Sequence, residues 1–179
     1  MRCGWMRNTC AGRMPRFSGR VLRAVPDETI RPCRIRPFAL GDADAVREIF
    51  RESPQAGALT SDSYERSPEW SGPLALVSES GGELTGFLMG REAADEAEVF
   101  TFAVAPKYRR QGHGATLISA AIAGMRSRGV KNVFLEVRES NLGAIAFYEA
   151  LGFSKIGYRK NYYRSPGEAA ITMGRNLGD

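Results

Sequence analysis

Residues 99–129 read VFTFAVAPKYRRQGHGATLISAAIAGMRSRG, and three textures follow one another along them. The first is an apolar run from Val99 to Val104, of the kind expected of a strand buried on both faces. Pro106 and a basic, glycine-bearing loop come next, Arg109-Arg110-Gln111-Gly112-His113-Gly114. In the third, Leu117, Ile118, Ala121, Ile122 and Met125 recur at i, i+3 and i+4. That spacing predicts a helix from about residue 114 to residue 128, stopped by Gly129. A buried strand passing through a glycine loop into a helix implies mixed α and β layers.

Working outward toward the N-terminus, Arg34-Ile35-Arg36-Pro37-Phe38 reads as a short edge strand, where alone Pro37 is tolerated. Gly41-Asp42 opens a helix, with Asp42 as N-cap and Val46, Ile49 and Phe50 as its apolar stripe. Residues 53–72 are rich in Ser, Pro and Gly, a long connection with room for one irregular helix. Strands over 74–78 and 84–89 flank Gly81-Gly82, a hairpin signal. Toward the C-terminus, residues 133–137 make the next buried strand. Ser140-Asn141 caps a helix carrying Ile145, Tyr148 and Leu151, which ends at Gly152. Two strands follow, over 153–163 and 169–174. The order predicts a mixed sheet with helices on its faces, in one α/β domain of residues 34–176.

A length of 179 residues suits one domain, and 43% apolar with 25% charged residues is ordinary for a globular chain. No run of about 18 apolar residues occurs, so no membrane-spanning helix is expected. The sequence pI of 9.4 would suggest nucleic acid, but the charge sits at one end. Residues 1–26 hold Arg2, Arg7, Arg13, Arg16, Arg20 and Arg23 and no acid, and without them the chain carries about −1. With Gly4, Gly12, Gly19 and Pro15 scattered through it and no period, this stretch is expected to be disordered. Residues 1–33 are therefore set apart as a basic N-terminal extension. Its preferred reading is a non-native extension from an upstream start, with Met6 or Met14 as later starts. A basic arm for RNA or ribosome contact and an organelle transit peptide are the alternatives. Cys3, Cys10 and Cys33 lie in or beside it without CxxC spacing, and His113 is the only histidine, so no metal site is expected. The absence of a secretory signal and of disulfide pairing points to the cytoplasm.

Three positions carry chemistry. The two loop glycines let backbone approach a ligand, and a helix start offers free N–H groups and the positive end of its dipole, which suits a pyrophosphate. The arginines add charge; an ordinary strand-to-helix turn is the alternative. The loop lacks the third glycine of a dinucleotide fingerprint and the Gly-Lys-Ser/Thr of a P-loop. Glu136 is a carboxylate inside the apolar run 133–137, where burial raises a pKa toward the range of a useful base. A strand-end glutamate paired with Arg138 is the alternative. Tyr148 lies on the apolar stripe of its helix, yet its phenol needs a partner. His113 is expected to point to solvent.

Two wider patterns now stand out. Val104-Ala105-Pro106-x-Tyr108-Arg109-x-x-Gly112-x-Gly114 resembles the acetyl-CoA-binding motif of the GNAT acetyltransferase superfamily. Asn141-x-x-Ala144-x-x-x-Tyr148-x-x-x-Gly152-Phe153 resembles its second signature. Leu135-Glu136-Val137-Arg138-x-Ser140-Asn141, Ala146-Phe147-Tyr148-Glu149 and Arg159-x-Asn161-Tyr162-Tyr163 are similar to the ribosomal-protein alanine N-acetyltransferases. The resemblance implies a GNAT fold, with a mostly antiparallel twisted sheet of six to seven strands and helices on both faces. It implies acetyl-CoA as cosubstrate and no metal. Phe102, Ala103 and Val104 would line the pantetheine, with the Val104 amide polarising the thioester carbonyl. Arg109 belongs to the motif, and Arg110, Gln111, Gly112, His113, Gly114 and Ala115 would hold the pyrophosphate through their amides. Asn141 would contact the pantetheine arm besides capping its helix. Glu136 would accept the amine proton and Tyr148 would protonate the departing thiolate, without a covalent enzyme intermediate.

The implied acceptor is the N-terminal α-amine of a protein, a ribosomal protein among the candidates, with Tyr162 and Tyr163 forming part of the wall beside the peptide. The family's Pro-Trp-Ser-like segment between the first helices is replaced here by Glu52-Ser53-Pro54-Gln55-Ala56-Gly57-Ala58-Leu59-Thr60. That departure keeps a lysine side chain or a small amine as alternative acceptors. A non-enzymatic acetyl-CoA sensor or RNA-bound adaptor is the rival class, against which the pairing of Glu136 with Tyr148 argues. No membrane partner is implied, and nucleic acid only through the basic extension. Deleting residues 1–33 is expected to leave the melting temperature and peptide acetylation unchanged; a large loss of either means that the extension belongs to the fold.

Overall fold

The computed structural model of the chain describes residues 33–56, 72–164 and 166–178. Among them the elements run β1 (Arg34–Pro37), α1 (Ala43–Arg51), β2 (Leu76–Ser80), β3 (Glu83–Ala93), β4 (Glu96–Val104), α2 (His113–Ser127), β5 (Asn132–Arg138), α3 (Leu142–Ala150), β6 (Ser154–Arg164) and β7 (Gly167–Asn176), with 3-10 turns at Leu40–Asp42 and Pro106–Tyr108. The strands form one sheet in the order β1-β2-β3-β4-β5-β7-β6, antiparallel throughout except for the parallel β4–β5 pair. The mixed, mostly antiparallel sheet is the expected one. Its strand order is not legible in the sequence, because β7 enters between β5 and β6.

Local chemistry explains the turns. Gly81 and Gly82 both have positive φ, 62° and 84°, as a two-residue hairpin turn of matching twist requires. At the end of α2, Gly129 is left-handed (φ 85°) and the Val130 N–H reaches back to Met125 O at 3.1 Å. α3 ends the same way, with Gly152 at φ 82° and the Phe153 N–H donating to Tyr148 O at 3.0 Å. Such wraps satisfy carbonyls that the helix leaves over. β1 is an edge strand, consistent with Pro37.

Helices cover both faces. α2 and α3 bury Leu117, Ile118, Ala121, Ile122, Met125, Ile145 and Tyr148 against Val99, Val133, Leu135 and Met173. α1 lays Val46 and Ile49 on Val77, Phe87 and Met89, with Phe50 packed partly against them.

Two expectations fail locally. Asp42 precedes α1 but makes no side-chain cap bond to it. Its carboxylate instead takes both Nη atoms of Arg36, at 2.7 and 2.8 Å, and the Ala39 N–H. Arg36 also reaches Glu79 at 2.8 Å, so these charges tie β1 to β2 and to the turn. Strand β4 is not buried on both faces: Ala97, Val99, Thr101 and Ala103 are buried and the residues between them are half-buried. The connection over 53–72 is described only to residue 56 and from 72, so the irregular helix considered there lies outside the described residues. So does the basic extension, apart from Cys33. No helix among the described residues is long and apolar enough to cross a membrane.

Gly86 lies on β3 between Ser78 of β2 and Val104 of β4. A Cβ there would lie 2.6 Å from Ala103 O, 3.1 Å from Ser78 Oγ and 3.2 Å from Val104 Cγ2. Gly86→Ala should lower unfolding stability by roughly 1–3 kcal/mol, the usual range for overpacking. Gly41→Ala, where a Cβ meets nothing within 4 Å, is the neutral control. Equal denaturation midpoints for the two would remove the steric argument.

Candidate active site

The site begins with one surplus residue. Met89 pairs with Thr101 but Gly90 pairs with Val99, so Phe100 is an extra residue in β4. A single insertion reverses the direction of every following side chain. Ala97 and Val99 face the α2 side, and beyond the bulge Phe102 takes that side while Ala103 and Ala105 face α1. The parallel ladder pairs residues 96–99 with 132–135 and ends there, so the two strands part at the bulge. Gly90, an isolated glycine in a strand, was the available signal; a Cβ on it would stand 2.3 Å from Glu98 O.

The separated stretch of β4 carries backbone groups on its open edge. Ala105 N–H donates to Thr85 O in β3, whereas Phe102 N–H points the other way, to Ala56 O at 3.3 Å. Directions alternate along a strand, so the Val104 amide shares the outer edge with that of Phe102. The Val104 carbonyl on this edge is held by Arg109 Nε at 2.8 Å, while Arg109 Nη2 reaches Ser53 Oγ at 2.7 Å. The Arg109 side chain is thus a clamp between the strand end and the segment after α1.

Beyond it, Arg110 and Gly112 are left-handed, at φ 62° and 86°. The first helical bond of α2 runs from Thr116 N to Gly112 O, leaving the amides of His113, Gly114 and Ala115 ahead of the ladder. Successive amides in such a turn make an anion-binding concavity. Arg110 is exposed beside it, and Gln111 Nε2 is turned back to Lys107 O at 2.7 Å. His113 is not solvent-facing. It is 3% exposed, its Nδ1 lies 3.0 Å from Thr85 Oγ1, and its ring stands 5.2 Å from that of Tyr108. Burial pushes its pKa below the ordinary value, so the imidazole is neutral at pH 7.

Tyr148, on α3, is 6% exposed among the rings of Phe102, Phe147 and Phe153. Burial drives its pKa far above the ordinary phenol value, with Tyr163 nearby adding to the rise. Asn141 caps α3, its Oδ1 accepting the Ala144 N–H at 3.1 Å.

Glu136 faces the opposite side of the sheet from Leu135 and Val137. It is not the isolated carboxylate the sequence suggests, and its partner is not Arg138. Arg159 Nη1 lies 2.8 Å from Glu136 Oε1. Arg138 turns instead to Glu168 at 3.3 Å and covers the Tyr163 ring at 4.0 Å. Asn161 is left-handed (φ 54°) and the β6–β7 register slips between Arg159 and Tyr163, which throws Tyr162 toward Glu136. Tyr163 is buried, with its hydroxyl 3.5 Å from Glu136 O, so it is no exposed wall. Burial and Glu136 push the pKa of each tyrosine up to about 12. A hollow of about 250 Å³ lies on this face, lined by Glu98, Phe134, Glu136, Arg159 and Thr172 among others.

A strand parted from its neighbour, with an amide-rich helix start at its end, agrees with a direct comparison: the acetyltransferase (GNAT) family matches residues 43–153, more than half of the chain. The chain belongs to the GNAT acetyltransferase family. It is 35% identical over 139 residues, 78% of this chain and 92% of the relative, to a Bacillus subtilis (strain 168) protein provisionally named as a ribosomal protein bS18-alanine N-acetyltransferase. With the ribosomal protein bS18-alanine N-acetyltransferase of Escherichia coli (strain K12) it shares 45% identity over 82 residues, 46% of this chain and 55% of that one. The chain thus spans about half the length of the first curated relatives it matches. The crystal structure of the ribosomal-protein-S18-alanine N-acetyltransferase from Escherichia coli aligns with a TM-score of 0.71 at 32% identity, covering 83% of this chain and 96% of that chain.

Within this GNAT domain the two loop glycines serve different ends. A Cβ at Gly112 would meet nothing within 4 Å, but its φ is one that L-residues resist. At Gly114 a Cβ would crowd Phe102 at 3.2 Å and touch Val104 at 3.4 Å and Phe147 at 3.6 Å, beside the open edge of β4. Gly114→Val should therefore weaken acetyl-CoA binding at least tenfold by displacing those side chains, whereas Gly112→Ala should lower the melting temperature by a few degrees, from roughly 1 kcal/mol of backbone strain. Titration calorimetry and melting curves separate the two, and wild-type affinity in Gly114→Val contradicts the assignment of the cleft.

Proposed function

We propose that the protein transfers an acetyl group from acetyl-CoA to the N-terminal α-amine of a protein, with a ribosomal protein beginning with alanine as the preferred acceptor. The supporting observation is that the β4–β5 ladder ends at Val99 and Leu135, next to Glu136, and leaves the Val104 edge open, while Tyr148 packs against Phe102 of the same parted strand. Tyr163 reaches the Glu136 backbone and stands beside Tyr148. The names of the relatives favour an alanine N-terminus.

In this reading acetyl-CoA supplies the activated thioester, and the chain supplies position and protons. Amides from Arg110, Gln111, Gly112, His113, Gly114 and Ala115 hold the pyrophosphate. Phe102, Ala103 and Val104 line the pantetheine, and the outward Val104 amide steadies charge on the thioester oxygen. Asn141 keeps its Nδ2 for the pantetheine while Oδ1 caps α3. An ammonium cannot attack, so Glu136, whose carboxylate is oriented by Arg159, takes its proton directly or through a water. Tyr148 protonates the departing sulfur. Its raised pKa keeps it protonated through neutral and mildly alkaline pH. An α-amine, with a pKa near 7.7–8.0 against about 10.4 for lysine, is the easier amine to free.

Tyr148→Phe and Glu136→Gln should each lower kcat by about 10²–10⁴ with acetyl-CoA affinity nearly unchanged. A peptide beginning with alanine should outcompete the same peptide with its α-amine blocked and a lysine exposed. Its kcat/KM should climb with pH to about 8 as the amine deprotonates, without the loss near pH 10 that an ordinary phenol acid would bring. Wild-type turnover in both variants defeats the assigned roles. Faster acetylation of blocked lysine peptides or free polyamines leaves only the family.

A further inference from the structure

Ser78 and Thr85 are both 0% exposed on neighbouring strands, where apolar side chains such as Val77 and Phe87 otherwise fill the interior. Their hydroxyls are 2.8 Å apart, and Thr85 Oγ1 is also 3.0 Å from His113 Nδ1. Three polar groups buried together give no more stability than apolar residues of the same shape would, but their hydrogen bonds are directional. The position of Thr85 is what makes direction useful. Its carbonyl accepts the Ala105 N–H at 2.9 Å, so its backbone fixes the residue after Val104. Its hydroxyl fixes the first residue of α2, whose amides form the anion-binding turn. The ring of Tyr108 closes over His113 from the intervening 3-10 turn, and Tyr108 is itself held by Glu83 at 2.7 Å.

We propose that Thr85 and His113 are a positioning pair, which sets the pyrophosphate-binding amides of α2 at a fixed separation from the Val104 edge that receives the acetyl end of the donor. This rests on the donor reading above. The imidazole touches neither end of the cleft; it acts through the backbone that its own residue and Thr85 contribute. One strand of the sheet thereby gauges the length of the donor site, through its carbonyl at one end and its hydroxyl at the other. A neutral imidazole suits the task, because Nδ1 can either accept from or donate to the Thr85 hydroxyl.

The test uses the full chain with His113→Leu, His113→Asn, Thr85→Val and the double variant Thr85→Val/His113→Leu. Leucine and valine keep the volume and remove the bond, while asparagine returns a polar atom to the place of Nδ1. At pH 7.5, His113→Leu and Thr85→Val should each raise the acetyl-CoA Kd and KM by roughly tenfold. Melting temperature should fall by a few degrees, more for Thr85→Val because it leaves Ser78 Oγ and His113 Nδ1 without their partner, and the KM of an alanine peptide should change little. His113→Asn should recover most of the affinity, and the double variant should be no worse than either single one. Wild-type acetyl-CoA affinity in His113→Leu or Thr85→Val overturns the pairing, as do additive losses in the double variant. If leucine at 113 prevents folding, Thr85→Val alone decides, by the same affinity measurement. A wild-type protein that binds no acetyl-CoA overturns the donor reading itself, a result distinct from any pattern among the variants.

Discussion

Phe100 has no partner across β3, and much of what distinguishes this sheet follows from that surplus residue. Up to Val99 the strand alternates in the ordinary way and pairs with β5. After Phe100 its faces are exchanged and the ladder to β5 has ended. A strand that stops pairing in the middle of a sheet leaves backbone N–H and C=O groups that must be satisfied by something else. Here Arg109 and Ala56 take two of them, and the Val104 amide is left on the same edge. The cleft is therefore a property of backbone pairing, and the side chains around it are arranged to keep it open.

The environments of Tyr148 and Glu136 differ in kind. Tyr148 sits among aromatic rings, which strongly disfavour a phenolate and keep its proton in place. Glu136 sits on the other face with the Arg159 guanidinium at 2.8 Å, a contact that orients its carboxylate. Tyr163 is buried under the Arg138 guanidinium, with its hydroxyl 3.5 Å from the Glu136 carbonyl. Arg138 in turn is neutralised by Glu168, whose other oxygen accepts the Ser140 N–H ahead of α3. The ion pairs around the site thus anchor β5, β7 and the start of the helix that carries Tyr148.

Much of the fold could be read along the chain because its signals are local. The Gly81-Gly82 turn, the Gly129 and Gly152 helix stops, the Asn141 cap and the α2 stripe all depend on residues within one or two turns of each other. The loop of residues 109–115 was legible for the same reason. The readings that failed depended on distant partners. Asp42 looked like a cap because the competing Arg36 is on another element. His113 looked exposed because nothing in the loop announces the buried hydroxyls of Ser78 and Thr85. Glu136 seemed alone or paired with Arg138, since Arg159 lies on β6, across β7 and between two register shifts.

By itself the sequence determined the kinds of element, their order, the glycine-bearing turn into α2 and the identity of the acid and base candidates. These follow from period, glycine placement and residue chemistry, which act over short stretches of chain. Only the tertiary structure decided the insertion of β7 between β5 and β6, the parting of β4 from β5, and the partners of Arg109, His113, Glu136 and Tyr163. Each of those is a choice among many geometrically possible partners. The choice is made by cooperative burial of a whole sheet, in which one extra residue changes the direction of every side chain that follows it.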